Sequence, residues 1–223
     1  MSRMKRLVVL AVLALAVVPG AAAKAPPNGF RVCGASACVA ITGNDAEHLA
    51  IRMFYSSWST RWNAPPSSSP FYRLHWAWDT SGPVQTAYYV PSANAVHVAP
   101  ETYGRLGNPF GWAVLEEESR AILSSLTSSL DPVPGATPAW VTVGGKLAKD
   151  PESYAVLWSV GKPAFAWPRS GWLLVRIVTN VSSPWSGDLS ISRRGTLLMR
   201  DETIFRIPRT LAKRVRARVS LRG

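Results

Sequence analysis

Hydrophobic and polar residues alternate with a period of two in many short runs of this chain, and follow a helical period in only a few. Phe30-Arg31-Val32 and Val39-Ala40-Ile41 flank the small-residue turn Gly34-Ala35-Ser36-Ala37 and predict a β-hairpin. Gly43-Asn44-Asp45 then predicts a short helix over 46–55. Asn44 or Asp45 is its expected N-cap, Glu47 suits its positive end, and Leu49, Met53 and Phe54 form its apolar stripe. From Phe71, residues Tyr72, Leu74, Trp76 and Trp78 fall on one face of a strand, and Arg73, His75 and Asp79 on the other. Two further strands, 87–90 and 95–98, follow around Pro91-Ser92.

The same succession of signals returns roughly a hundred positions later. Trp140 to Val143, the turn Gly144-Gly145 and Lys146 to Ala148 predict a second hairpin. Asp150 then serves as a cap, Pro151 takes the first helical position, and 154–160 continues as a short helix. The run from Trp172 sets Leu173, Val175, Ile177 and Thr179 against Leu174, Arg176 and Asn180, and strands are expected over 188–191, 196–200 and 203–207. Between the two halves, FGWAVLEEESRAILSSLTSSL predicts the longest helix, with Leu115, Ile122, Leu126 and Leu130 near one face and Ser119 in the gap. Adjacent helix positions point in different directions, so Glu116, Glu117 and Glu118 are expected to form a solvated helix start and not a converging cluster. At the C-terminus, Pro208 opens a segment with Leu211, Ala212 and Val215 on one side and Arg209, Lys213, Arg214 and Arg216 on the other.

These patterns predict an α+β fold: two pseudo-repeated lobes of short antiparallel strands, each with a short helix, joined by a longer helix and a Pro-rich linker. The first lobe is expected over 26–130, the linker over 131–138, and the second lobe, with a basic C-terminus, over 139–223.

Composition adds a compartment. Arg3, Lys5 and Arg6 precede an uncharged run from Leu7 to Val18, which is followed by Pro19-Gly20 and Ala21-Ala22-Ala23. This is the layout of a secretory signal peptide over 1–23, cut after Ala23 or after Ala25. Its apolar run is shorter than the roughly 20 residues needed to span a bilayer, and later apolar stretches are broken by Pro, Gly or charge, so no transmembrane span is expected after cleavage. The protein is therefore expected to be secreted or envelope-associated. The formal charge of +12, less the three positive charges of the leader, leaves +9. From Arg193 onward, ten Lys or Arg face only Asp201 and Glu202. Outside a cell such an excess points to an anionic cell-envelope polymer or glycan, not to nucleic acid.

Cys33 and Cys38 are the only cysteines. Export, the hairpin around them and a spacing unlike Cys-x-x-Cys predict a structural disulfide. His48, His75 and His97 show no paired spacing, so neither a metal site nor a cofactor is expected. No Gly-x-Ser-x-Gly, phosphate-binding loop or dinucleotide fingerprint occurs. Trp58 and Trp62 lie in the Pro/Ser-rich stretch SSWSTRWNAPPSSSP, and Trp185 in NVSSPWSG. A tryptophan in such a loop either pins it or offers a ring face to a sugar or cation.

The sequence thus favours a non-catalytic binding protein for an anionic or glycan surface polymer. Its ligand-binding candidates are Trp58, Trp62, Arg73, Arg176, Trp185, Arg214, Arg216 and Arg218. One alternative is a secreted hydrolase with an inter-lobe cleft, in which His75 is the acid or base and Arg73 or Arg176 binds an anionic substrate. Another is a protein-interaction or inhibitor module.

Overall fold

All strand pairing is antiparallel in the structure, a computed structural model that describes residues 28–55, 59–61, 63–77, 84–98 and 111–217. The fold is α+β, as the alternation predicted. The leader over 1–23, the helical side chains Met53 and Phe54, and Trp78 and Asp79 lie outside the described residues.

The first lobe contains β1 (Asn28–Cys33), β2 (Cys38–Ala40), α1 (Gly43–Tyr55), β3 (Ser59–Arg61), β4 (Tyr72–Ala77), β5 (Gln85–Val90), β6 (Ala95–Val98), β7 (Gly111–Val114) and α2 (Glu117–Thr127). The second contains β8 (Pro138–Val143), β9 (Lys146–Leu147), a 3-10 helix (Pro151–Trp158), β10 (Lys162–Pro163), β11 (Trp172–Thr179), β12 (Gly187–Ser192), β13 (Leu197–Arg200), β14 (Thr203–Arg206) and α3 (Arg209–Ala217). Each lobe holds one seven-stranded sheet. The first runs β2-β1-β4-β5-β6-β7-β3, and the second, read from its far edge, β9-β8-β11-β12-β13-β14-β10. Every strand of the second lobe therefore occupies the place of the strand seven earlier. All four edges are strands of two or three residues.

Local chemistry explains most of these elements. Gly144 and Gly145 have φ of +56° and +80°, the two left-handed residues that a tight hairpin turn demands. β4 buries Tyr72, Leu74 and Trp76 and leaves Arg73 and His75 half-buried on its other face. β11 does the same with Val175, Ile177 and Thr179 against the exposed Arg176.

The structure sharpens two expectations and corrects one. The second short helix is a 3-10 helix over Pro151–Trp158. Tyr154 and Leu157, three apart, are both buried, as suits a helix of three residues per turn. The long helical stretch begins as β7, and only Glu117–Thr127 is helix. Its buried line is Ser119, Leu123 and Thr127, while Leu115 and Leu130 are buried beyond its ends. The expected linker segment is packed against the first lobe. Val133 exchanges backbone hydrogen bonds with Phe71, and the Ala136 amide donates to the Ser67 carbonyl at 2.6 Å. Gly135 lies so close to Ser68 that an added Cβ would meet its backbone at 2.2 Å.

The core has two parts. One face of the first sheet packs on α1 and α2 through Val32, Leu49, Leu74, Trp76, Val96 and Leu123. The second sheet packs on the 3-10 helix and α3, and that core continues into the other face of the first sheet through Phe71, Trp112 and Trp185.

Candidate functional site

Between β12 and β13 the chain turns through Arg193, Arg194 and Gly195, with Gly195 at φ +99°. The segment leading into β11 brings Arg169 and Ser170 against this turn. Together they line an open groove of about 610 Å³. Its backbone is tied down on both sides. The Arg194 amide donates to Ser170 Oγ at 2.8 Å, Ser170 Oγ donates to the Arg194 carbonyl at 3.2 Å, and the Arg193 amide donates to the Gly171 carbonyl at 3.0 Å. From behind, Arg216 on α3 donates through Nη1 to the carbonyls of Ser192 and Gly195, each at 3.0 Å. Burial pushes the Arg216 pKa down from the ordinary arginine value.

Arg169, Arg193 and Arg194 are exposed, and among the described residues no carboxylate lies within ion-pair distance of any of them. Three arginines thus line one groove, on a turn held by these backbone hydrogen bonds; guanidinium groups in such an arrangement can pair with several negative charges at once. Arg193 and Arg194 head the basic run seen in the sequence. Arg169 went unnoticed there, because nothing local joins it to a turn 24 residues away.

The predicted residues are scattered. Arg216 is a brace for the groove, and Arg214 is exposed on the same helix. Arg218, Trp58 and Trp62 lie outside the described residues. Arg176 forms a bidentate pair with Asp188, its cross-strand neighbour, at 2.7 Å through both Nε and Nη2. That pairing lowers the Asp188 pKa and raises that of Arg176. Trp185 takes the pinning role. It is 1% exposed, and its Nε1 donates to the Pro65 carbonyl at 3.0 Å. The ring packs against Phe71 and Trp112 at 5.7 Å and leaves no face for a ligand.

Arg73 reaches the Ser182 carbonyl of the second lobe at 3.5 Å, and Tyr88 Oη lies 3.3 Å from Ser182 Oγ. His75 Nδ1 is 3.1 Å from Thr86 Oγ1. Burial first, then the charges of Arg31 and Arg73, lower the His75 pKa and favour the neutral ring.

A constellation that the sequence did not reveal joins α1 to α2. His48 Nε2 is 3.1 Å from Ser119 Oγ and 2.9 Å from Glu116 Oε1, and His48 Nδ1 is 3.6 Å from Glu118 Oε2. The arrangement looks like a nucleophile, a base and an orienting carboxylate. Ser119 is 0% exposed, however, and its hydroxyl donates to Glu116, so its oxygen is closed to any substrate. The cluster instead fastens the start of α2, where Glu116 Oε1 also accepts the Ser119 amide at 3.1 Å. Burial alone would raise the Glu116 pKa, but hydrogen bonds from Ser119 and His48 outweigh it and hold the carboxyl at about 2. Two glutamates of the supposed solvated start therefore converge on one histidine, reaching it from opposite ring nitrogens.

The Cys33–Cys38 disulfide closes the first hairpin as predicted, with Cα atoms 4.0 Å apart in a directly opposed pair. Among the described residues no cluster of three or more His, Cys, Asp or Glu is placed to hold a metal ion, and no helix is long and apolar enough to cross a membrane. The chain matches no protein-family model, no curated protein and no solved structure at a significant level.

Proposed function

We propose that this is an exported, envelope-associated binding protein that holds an anionic surface polymer in the groove of Arg169, Arg193 and Arg194. The observation that carries this reading is the convergence of three exposed arginines, without carboxylate partners among the described residues, on one braced turn. A rigid cationic groove suits a polyanion. It has little ordering entropy left to lose, and it meets several charges of one chain at once. The leader-like N-terminus supplies the compartment, and the disulfide fits an oxidising one. The matching strand order of the two sheets supports an internal duplication in which the second copy carries the binding site.

The test is retention of the purified mature protein on immobilised polyglutamate across a salt series. Retention at 20 mM salt that is lost by about 0.5 M is expected, because the screening length shrinks severalfold over that range. Replacing Arg169, Arg193 and Arg194 together by alanine is expected to weaken retention at least tenfold, from about 0.5–1 kcal/mol per exposed charge. Unchanged retention by that variant would refute the assignment.

A further inference from the structure

The segment that supplies Arg169 carries a second feature. Phe165 is 110% exposed and Trp167 71%, the most exposed aromatic side chains among the described residues. Ala164 and Ala166 alternate with them along the segment. Both line a groove of about 600 Å³ whose far wall is Glu202, Thr203 and Ile204. The segment is well anchored. Pro163 pairs with Phe205, the Ala164 amide donates to the Ile204 carbonyl at 2.9 Å, and Trp167 meets Trp172 edge to face with centroids 5.9 Å apart. Two large rings exposed two residues apart on an anchored segment offer a docking surface.

The surroundings select its occupant. Glu202 puts a carboxylate at the rim of the groove, in a left-handed conformation with φ +58° that a non-glycine residue rarely adopts. A carboxylate there accepts hydrogen bonds from sugar hydroxyls. The neighbouring strand β10 is two residues long and includes Pro163, which has no amide hydrogen to donate, so it is a poor template for a partner's strand. Flat rings, small alanines between them and an acceptor at the rim suit the C–H face and hydroxyls of a sugar. Within two residues the same segment passes from Trp167 to Arg169 and the arginine groove.

We infer that the polymer is an acidic polysaccharide: Phe165 and Trp167 stack on a sugar ring of the chain whose carboxylates Arg169, Arg193 and Arg194 hold. The inference rests on the proposed anion-binding groove and adds the chemical class of its ligand.

The experiment measures binding of the full mature chain to three probes: polygalacturonate, polyglutamate, and vesicles of phosphatidylglycerol and phosphatidylcholine. Wild type is expected to bind polygalacturonate at least tenfold tighter than polyglutamate at equal charge concentration. Trp167→Ala and Phe165→Ala are each expected to weaken polygalacturonate binding about tenfold and leave polyglutamate binding unchanged. Phe165 makes no ring contact with Trp172, so its variant separates stacking from any loosening of the loop. Equal losses on both polymers, or no loss on either, overturn the sugar subsite but not the arginine groove. Failure of the triple arginine variant to weaken either polymer overturns the groove itself. Vesicle binding that exceeds polygalacturonate binding and disappears in Trp167→Ala overturns the sugar assignment in favour of a lipid surface.

Discussion

Arg200 of the second lobe donates through Nη2 to Asn63 Oδ1 of the first at 2.7 Å. The same guanidinium donates through Nη1 to the carbonyls of Leu157 and Val160, at 2.5 and 2.7 Å, and lies 3.8 Å over the Phe205 ring. Only 2% of the residue is exposed. One planar cation thus joins the last turn of the 3-10 helix, strand β14 and the opposite lobe. Lysine lacks the fork that reaches several acceptors at once. Arg200→Lys is therefore expected to cost about 2 kcal/mol, and Arg200→Leu about 3 kcal/mol, because acceptors are left buried without a donor. At this chain length that is a fall in Tm of roughly 4–12 °C, read by thermal denaturation. Burial lowers the Arg200 pKa to about 10, against a raising effect from Asp201. The unfolded chain holds this proton more tightly, so this group's contribution to stability is level below about pH 9 and increases only above about pH 10.

Acid is expected to act first at the α1–α2 junction. The Glu116 carboxyl is held at about 2, below its ordinary value of 4.5. Its contribution to stability is therefore present above about pH 4.5 and is lost as the pH falls toward 2. Denaturation midpoints measured from pH 7 to pH 2.5 should drop over that window, and Glu116→Gln should flatten the drop. At pH 7, Glu116→Ala is expected to cost about 1 kcal/mol as the loss of a helix cap.

Gly135→Ala tests whether the linker is part of the core. The new methyl group would meet Ser68 backbone atoms at 2.2–2.5 Å, and neither chain segment has a flexible tip to move aside. A cost of about 2–3 kcal/mol is expected. Gly145→Ala has open space around it and only an unfavourable φ of +80°, so about 1 kcal/mol is expected there. Equal destabilisation of the two variants would contradict the packed linker.

Arg214 and Arg216 separate charge from bracing. Both carry one positive charge on α3, but only Arg216 donates to the Ser192 and Gly195 carbonyls. Arg214→Ala is expected to leave stability within about 0.5 kcal/mol. Arg216→Ala should cost about 1–2 kcal/mol and weaken polyanion binding beyond the effect of Arg214→Ala, since it frees the turn that holds Arg193 and Arg194. Equal binding losses in the two variants would reduce Arg216 to a diffuse charge.

Local pattern revealed the strands and little of the site. The alternation of Tyr72, Leu74 and Trp76, the Gly144-Gly145 turn and the Cys33–Cys38 hairpin are short-range facts, and each stands where the sequence predicted it. Contacts between distant positions left no such trace. His48 and Ser119 are 71 residues apart, and Arg200 and Asn63 are 137 apart. Tryptophans in loops were ambiguous for the same reason. Trp185 in SSPWSG and Trp167 in PAFAWP both lie in Pro-containing loops, yet one is 1% exposed and the other 71%. What separates them is the opposite lobe, which covers Trp185 through Phe71, Trp112 and the Pro65 carbonyl.

The two sheets share one strand order within a single chain, and that creates a hazard while the chain folds. A strand of one lobe has a counterpart site in the other, and two copies of the protein have four such sheets between them. Misassembly by strand exchange or by lateral growth begins at an open edge. Here every edge is a stub: Cys38–Ala40, closed against its neighbour by the disulfide, then Ser59–Arg61, Lys146–Leu147 and Lys162–Pro163. Two or three residues offer too few hydrogen bonds to capture a wandering strand. The short edges thus allow twin sheets to form side by side without one becoming the template for the other.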